Sequence, residues 1–283
     1  MAWELPTDWQ PTQLLEVAGS VDTSTGATEV MTDAGRAFIK PMGNRQGPHV
    51  LATDWVGTHL ASWFGLSTFE IAILPLDEDD SFDLPRGYTA KPGPAFAARA
   101  MNGEPWGNSG LQLDVLVNSD DISRLVVFDT WTLNCDRHHH DLNARKPNPD
   151  NVYLSSEDVE PGKRKMIAMD HGLCFIRSGE DLTPKLANID KTKNENVFGL
   201  FPEFRDRLSQ EMVENSLARL REMETDIADK ILKTIPDEWE VSSDTRNAWS
   251  TLICTRANYV ADNFSSWLDK VAPWFGAQGD NNG

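Results

Sequence analysis

Apolar and polar residues in the first ninety positions form short strand-like runs around one stretch of helical spacing. The runs LLEVAG, TEVMT and RAFIKP are typical of strands, and SVDTSTGA, rich in Ser, Thr and Gly, separates the first two. After Gly47-Pro48, apolar residues recur with helical spacing from Val50 to Phe64. Gly65 ends that helix and the apolar run EIAILPL follows. The pattern predicts strand, strand, strand, helix, strand.

The pattern becomes mainly helical in the second part of the chain. Apolar residues share one helical face from Ile122 to Leu133, and two short strand-like runs, NVYL and KMIAMD, come after a polar loop. Two long amphipathic helices follow, and we expect their apolar residues to be core. These residues are Phe204, Leu208, Met212, Leu217 and Leu220 in the first, and Trp249, Leu252, Ile253, Val260, Phe264, Trp267, Leu268 and Val271 in the second.

The stretch between the two parts is rich in Gly, Pro, Ala and Asn, which is typical of a linker. The predicted fold class is α+β, with two lobes. We expect a small, mainly β N-terminal lobe over residues 1–92, a hinge or linker over 93–110, and a larger helical C-terminal lobe over 111–283.

Composition narrows the classes of protein that fit this pattern. The apolar fraction of 40%, with 12 Phe and 10 Trp, excludes a wholly disordered chain. A net charge of −18 argues against direct nucleic-acid binding and against anionic membranes. Three scattered cysteines, no signal peptide and no long apolar run predict a cytoplasmic protein.

Four features in chain order meet the requirements of phosphoryl transfer. A loop of small residues, 19–28, lies between two predicted strands, and Lys40 ends the third strand. Asp136 begins a polar loop after a helix, and Asp170 opens an Asp-His-Gly turn after a strand. Each feature alone is weak, and their order and spacing carry the prediction.

The chemistry of ATP and Mg²⁺ explains why these residue types are needed. A triphosphate requires close backbone approach, which the small side chains of Ser24, Thr25 and Gly26 permit, and a fixed cation near its α and β oxygens. Mg²⁺ prefers oxygen ligands from one or two side chains and leaves its other positions to phosphate and water. A second carboxylate must orient the acceptor hydroxyl and take its proton.

The residues around these carboxylates resemble a known family. The segment LVVFDTWTLNCDRHHHDLN, followed by NVYL and KMIAMDHGLCF, resembles the catalytic segment of HipA-like kinases. These kinases belong to the atypical branch of the protein-kinase fold that also contains the phosphatidylinositol kinases. AFIKP resembles their lysine strand, and the resemblance extends over residues 14–180. It implies a two-lobed, kinase-like fold.

The resemblance also implies roles for individual residues. Asp136 would be the catalytic Asp, Asp170 the main magnesium ligand, and Lys40 the residue that binds the α and β phosphates. Arg137 and His138 follow the catalytic Asp as in the lipid-kinase form of the loop. They would either brace it or touch phosphate.

Two positions depart from the family pattern. Where the family has its metal-binding Asn, this chain has Asp141, so the candidates are Asn143 and Asn151. Asn151 is the first residue of NVYL and takes the family position if ARKPNPD is an insertion, and we favour it because loop length varies at little cost. The lysine partner is usually Glu, whereas the predicted helix offers only Asp54.

The implied activity is an ATP- and Mg²⁺-dependent Ser/Thr protein kinase with a protein substrate and an antitoxin-like partner. A catalytically impaired nucleotide-binding module is one alternative, and a lipid or small-molecule kinase is another. A metal-dependent nuclease built from Asp136, His138 and Asn143 would leave Lys40 and Asp170 without a role.

Overall fold

A computed structural model gives the structure of the protein and describes residues 3–6, 8–20 and 26–273. The strands and helices of the first half are β1 (Leu14–Ser20), β2 (Thr28–Thr32), β3 (Gly35–Met42), α1 (His49–Phe64), β4 (Ile71–Leu76), β5 (Asp83–Leu84), β6 (Tyr88–Thr89), β7 (Lys91–Arg99) and β8 (Gly103–Pro105). Those of the second half are α2 (Gly110–Leu113), α3 (Asp120–Thr132), β9 (Val152–Ser155), β10 (Lys165–Ala168), α4 (Ile189–Thr192), α5 (Gln210–Arg221), α6 (Thr225–Leu232) and α7 (Ser243–Val271).

The first part of the chain forms a five-stranded antiparallel sheet in the order β1-β2-β3-β7-β4. The predicted order of three strands, a helix and a strand is confirmed. Alternation along β3 places Ala37 and Ile39 in the core on one face and leaves Lys40 on the other. The sheet therefore presents the lysine away from its own small core.

The central strand β7 differs from the prediction, because the sequence pattern indicates a linker from residue 93 onward. In the structure, residues 93–99 pair with β3 on one side and β4 on the other. Gly93 and Pro94 lie near the beginning of the strand. Ala95 and Ala97 are fully buried between the flanking strands and the core. The small side chains of this strand allow close packing. Composition alone does not distinguish such a strand from a flexible linker.

Helix α1 is buried along nearly its whole length. It contacts β7 in the sheet and α3, α5 and α6 of the helical part, so apolar residues are required all round it. Gly65 ends the helix in a left-handed conformation, and its N–H donates to the carbonyls of Ala61 and Ser62. This helix joins the two parts of the molecule.

The C-terminal part is mainly helical and is organised around α7, which packs against α5 and α6. The first of the two predicted long helices begins only at Gln210, because the side chain of Ser209 accepts the N–H of Met212 and caps it. Phe204 lies before this start in a 3-10 turn. Helix α6 was not predicted.

Among the described residues, no helix combines the length and the hydropathy needed to cross a membrane.

Candidate active site

The hairpin of β9 and β10 brings two predicted metal ligands to one end of a sheet. Val152 pairs with Ala168, so Asn151, just before β9, lies at the same end as Asp170, just after β10. Asp170 has a positive φ of 56° at the start of the Asp-His-Gly turn. Asn151 is buried, and the side chain of Asp170 is one third exposed.

Asp136 lies beside this pair at the end of α3. The helix ends at Leu133 in a left-handed conformation, and the next residue, Asn134, accepts the backbone N–H of Asp136 at 3.2 Å. The Asn151 amide donates to Asp136 Oδ2 at 2.9 Å, and the guanidinium of Arg145 contacts Oδ1. Burial raises the pKa of Asp136, and the negative charge of Asp170 raises it further.

Lys40 reaches across from the sheet to both remaining carboxylates. Its Nζ forms ion pairs with Asp54 of α1 and, at 3.0 Å, with Asp170. Burial alone would lower the pKa of Lys40, but these two carboxylates raise it above its usual value. Burial would likewise raise the pKa of Asp170, but Lys40 holds it below its usual value. The lysine is thus a fixed cation, and Asp54 is its helix partner.

Helix α1 lies directly on the Asp-His-Gly turn, which explains how the short side chain of Asp54 reaches Lys40. Asp54 also accepts the backbone N–H of His171 at 2.8 Å, and Thr53 donates to the carbonyl of Gly172 at 2.6 Å. At Gly57 a Cβ would overlap the Cβ of His171. The absence of a side chain at position 57 sets how closely the helix approaches the turn.

Gly57→Ala is expected to lower the free energy of unfolding by about 1–3 kcal/mol through overpacking against His171. Helix propensity alone predicts the opposite sign, a gain of about 1 kcal/mol. Urea denaturation of the variant measures the difference. The control is Gly19→Ala, since a Cβ there meets nothing within 4 Å. A stabilised Gly57→Ala protein would show that α1 does not need this close approach.

Arg137 is fully buried and connects the segments that carry the site. Its guanidinium forms an ion pair with Asp129 of α3 and donates to the carbonyls of Asn151 at 3.1 Å and Met169 at 2.7 Å. Of the two roles that the sequence left open, this geometry matches bracing, because the side chain has no exposed surface and its guanidinium is bonded to protein groups.

His138, like Arg137, is buried and contacts other parts of the protein. Its ring packs edge-on against Phe201 with 5.0 Å between centroids, and its backbone carbonyl accepts the N–H of Gly199 at 2.9 Å. Burial lowers the pKa of His138. Neither contact points to a phosphate or to the carboxylate of Asp136.

Two other predicted site residues, Asn143 and Gly26, have different neighbours. Asn143 is exposed, and its N–H donates to the carboxylate of Asp141 at 2.9 Å. Gly26 has a positive φ of 65° and packs near Leu84. Ser24 and Thr25, the other predicted nucleotide-binding residues, fall outside the described residues.

The donor set at the end of the hairpin fits Mg²⁺ as a kinase would hold it. Within residues 3–6, 8–20 and 26–273 there is no group of three or more His, Cys, Asp or Glu that could hold a metal ion unaided. The carboxylate of Asp170 and the side-chain amide oxygen Oδ1 of Asn151, which accepts from the amide of Asn148 at 3.0 Å, supply two hard oxygen donors. An ion there would take its remaining ligands from phosphate and water, which Mg²⁺ does readily.

Sequence reasoning missed Arg145 and the supporting residues Asp129, Asn134 and Asn148. Arg145 lies in the stretch interpreted as an insertion, where no motif marks it. Its nine-residue separation from Asp136 gives no periodic signal, because the intervening chain has no regular secondary structure.

Comparison with known proteins gives the family and the fold. A family model described as HipA-like kinase matches residues 30–266. No curated protein matches the sequence. The proinflammatory kinase CtkA of Helicobacter pylori aligns with a TM-score of 0.57 at 12% identity, covering 93% of this chain and 98% of CtkA. HipA of Shewanella oneidensis, solved with HipB and operator DNA, aligns with a TM-score of 0.40 at 11% identity, covering 95% and 70%. The likeness to CtkA shows a kinase fold, so the predicted α+β, kinase-like class is confirmed.

Proposed function

The chain belongs to the HipA-like kinase family, and we propose that it transfers the γ-phosphate of ATP, bound with Mg²⁺, to a Ser or Thr hydroxyl of a protein. One observation supports this more than any other. Lys40 forms ion pairs with Asp54 and Asp170, Asn151 donates to Asp136, and the hairpin of β9 and β10 brings Asn151 and Asp170 to the same end. A kinase fold that only bound nucleotide would need Lys40, Asp170 and Asn151 but would have no use for Asp136.

The role proposed for each residue is supported by its contacts. Lys40, fixed between two carboxylates, binds the α and β phosphates. Asp170 and Asn151 hold the metal, which when bound neutralises charge on the phosphate oxygens. Phe38 lies on the same face of β3 as Lys40 and is 37% exposed, so it offers the nucleobase an apolar surface.

Asp136 orients the acceptor hydroxyl and takes its proton. The hydroxyl oxygen forms a bond to the γ-phosphorus, and the bond from that phosphorus to the β–γ bridging oxygen breaks. ADP leaves with the electron pair, and the proton passes to the carboxylate of Asp136. The raised pKa of Asp136, caused by burial and by Asp170, makes it a better proton acceptor than a free Asp.

The acceptor and the partner are proposed from the family alone. A protein hydroxyl fits better than a membrane lipid, because a net charge of −18 disfavours an anionic lipid surface. An antitoxin-like protein partner and a cytoplasmic location remain predictions. A catalytically impaired, nucleotide-binding protein is the outcome that the experiments below would reveal if turnover is absent.

The first test is a thermal unfolding experiment with ATP. A ligand present at one hundred times its Kd stabilises the folded state by about 2.7 kcal/mol, so ATP with Mg²⁺ is expected to raise the Tm clearly. An unchanged Tm at millimolar ATP and Mg²⁺ would contradict the proposal. Phosphate transfer from labelled ATP to the protein itself or to a generic protein acceptor then separates a kinase from a binding module.

Asp170→Asn is expected to weaken ATP binding about 10²-fold when Mg²⁺ is present and to change it little when the metal is removed with EDTA. Asp54 keeps its ion pair with Lys40, so the lysine remains positioned in the variant. Titration calorimetry with and without Mg²⁺ measures both affinities. The exposed Asp190→Asn serves as the control. Equal losses in the two conditions would show that Asp170 does not act through the metal.

A further inference from the structure

We propose that Arg145 is a catalytic residue, which leaves the carboxylate of Asp136 and contacts the transferring phosphoryl group. The inference rests on the proposed kinase function and assigns to that reaction a residue that lies outside every recognised motif of the chain.

Both oxygens of Asp136 are engaged in the structure. Arg145 forms an ion pair with Oδ1, and Asn151 donates to Oδ2 at 2.9 Å. Each carboxylate oxygen still has a free lone pair for the acceptor hydroxyl, but a cation bound to Oδ1 makes the carboxylate a poorer proton acceptor. Proton transfer to Asp136 is therefore favoured when a donor moves away. Asn151 is 4% exposed and held by Asn148, whereas the side chain of Arg145 is 34% exposed. Arg145 is the donor that can leave.

The other two cations discussed for the site, Lys40 and Arg137, are bonded to other groups. Lys40 is shared between Asp54 and Asp170, and its side chain is only 12% exposed. Arg137 is fully buried, and its guanidinium is engaged with Asp129 and two backbone carbonyls. Arg145 touches Asp136 and keeps a solvent-facing side chain, so its charge is available beside the point where the acceptor hydroxyl must sit.

The chemistry requires a cation at that point. Negative charge on the oxygens of the transferred group must be balanced while the bond to the acceptor forms and the bond to the β–γ bridging oxygen breaks. A guanidinium suits this role, because it stays charged and its planar N–H groups match two phosphate oxygens. The acceptor proton goes to Asp136, which Arg145 has then released.

The loop that carries Arg145 is anchored so that a short movement is enough. The N–H of Asn148 donates to the carbonyl of Arg137 at 2.8 Å, and the N–H of Arg145 donates to the carbonyl of Asp141 at 3.3 Å. The backbone is thus held on either side of the side chain. The guanidinium can exchange a carboxylate for a phosphate without rearrangement of the loop.

The test compares Arg145→Gln with wild type in turnover and in binding. We expect kcat to fall about 10²-fold, as for other single donors to transition-state charge. Affinity for ADP and Mg²⁺ with aluminium fluoride, which mimics the transferring phosphoryl group, should fall by a similar factor. Affinity for ADP and Mg²⁺ alone should stay within a factor of about three, because ADP lacks that group. Arg145→Lys should recover part of both losses, and the neighbouring exposed Lys146→Gln is the matched control.

Three results would overturn the inference. A higher kcat in Arg145→Gln would mean that Arg145 only shields Asp136. A lower kcat with unchanged affinity for the aluminium fluoride complex would mean that it only positions the loop. If kcat and the affinity for the aluminium fluoride complex were both unchanged, Arg145 would have no role in the reaction. If wild type neither binds ATP with Mg²⁺ nor transfers phosphate, the proposed function itself fails, which the wild-type measurements reveal before any variant is compared.

Discussion

Asp136→Asn is expected to lower kcat about 10³-fold while ATP and Mg²⁺ still bind within a factor of about three of wild type. The amide keeps the shape of the carboxylate but cannot take the acceptor proton. The ion pair of Lys40 with Asp170 does not involve Asp136. The nucleotide should therefore still bind to Lys40 and to the metal. Single-turnover transfer from ATP and titration calorimetry measure the two quantities.

The matched control for this experiment is Asp150→Asn, an exposed carboxylate just before Asn151. It should leave both kcat and affinity unchanged. A fall of less than tenfold in Asp136→Asn would assign proton removal to another group, and a large loss of ATP affinity would place Asp136 among the nucleotide-binding residues. The two readouts therefore separate the role of Asp136 from that of Asp170.

Arg137→Met is expected to lower the free energy of unfolding by about 3–5 kcal/mol. The substitution leaves the buried carboxylate of Asp129 without its cation, and burial already raises the pKa of Asp129 to about 6. It also leaves two backbone carbonyls, of Asn151 and Met169, without their donor. Urea denaturation followed by far-ultraviolet circular dichroism measures the loss.

Two further variants make this prediction specific. Arg137→Met combined with Asp129→Asn should be less destabilised than the sum of the single changes, since no charge is then left buried alone. The exposed pair of Arg221 and Asp262, at 3.4 Å, provides the comparison, and Arg221→Met should cost less than about 1 kcal/mol. A loss below about 1 kcal/mol for Arg137→Met would show that the brace is dispensable.

The sequence predicts the elements that have a clear local pattern. The alternating runs give β1 to β4, and the helical spacing gives α1, α3 and α7. Strand β7 escapes this reasoning because its Gly, Pro and Ala residues are typical of a loop, and only pairing with β3 and β4 makes them a strand. Helix α6 escapes because it follows α5 after a break at Glu222 that the continuous apolar pattern does not reveal.

In the site, too, residues next to predictable elements can be placed from the sequence, whereas contacts between distant segments cannot. Asp136, Asp170 and Asn151 could be placed because each lies next to a predictable helix end or strand end. The ion pair of Asp54 with Lys40 could not, because it depends on how deeply α1 sits on the turn at His171. The contact of Arg145 with Asp136 depends on the path of an irregular loop, which carries no periodic signal.

Because helix α1 packs against both the sheet and the helical part, we expect the two parts to unfold together. Its buried faces contact both, and its Asp54 and Thr53 are bonded to the turn that carries Asp170. Amide protons of α1 can then exchange with solvent only when both parts open together. We therefore expect a nucleotide that binds beside Lys40 to slow hydrogen exchange in α7 as well, although Lys40 lies in the sheet.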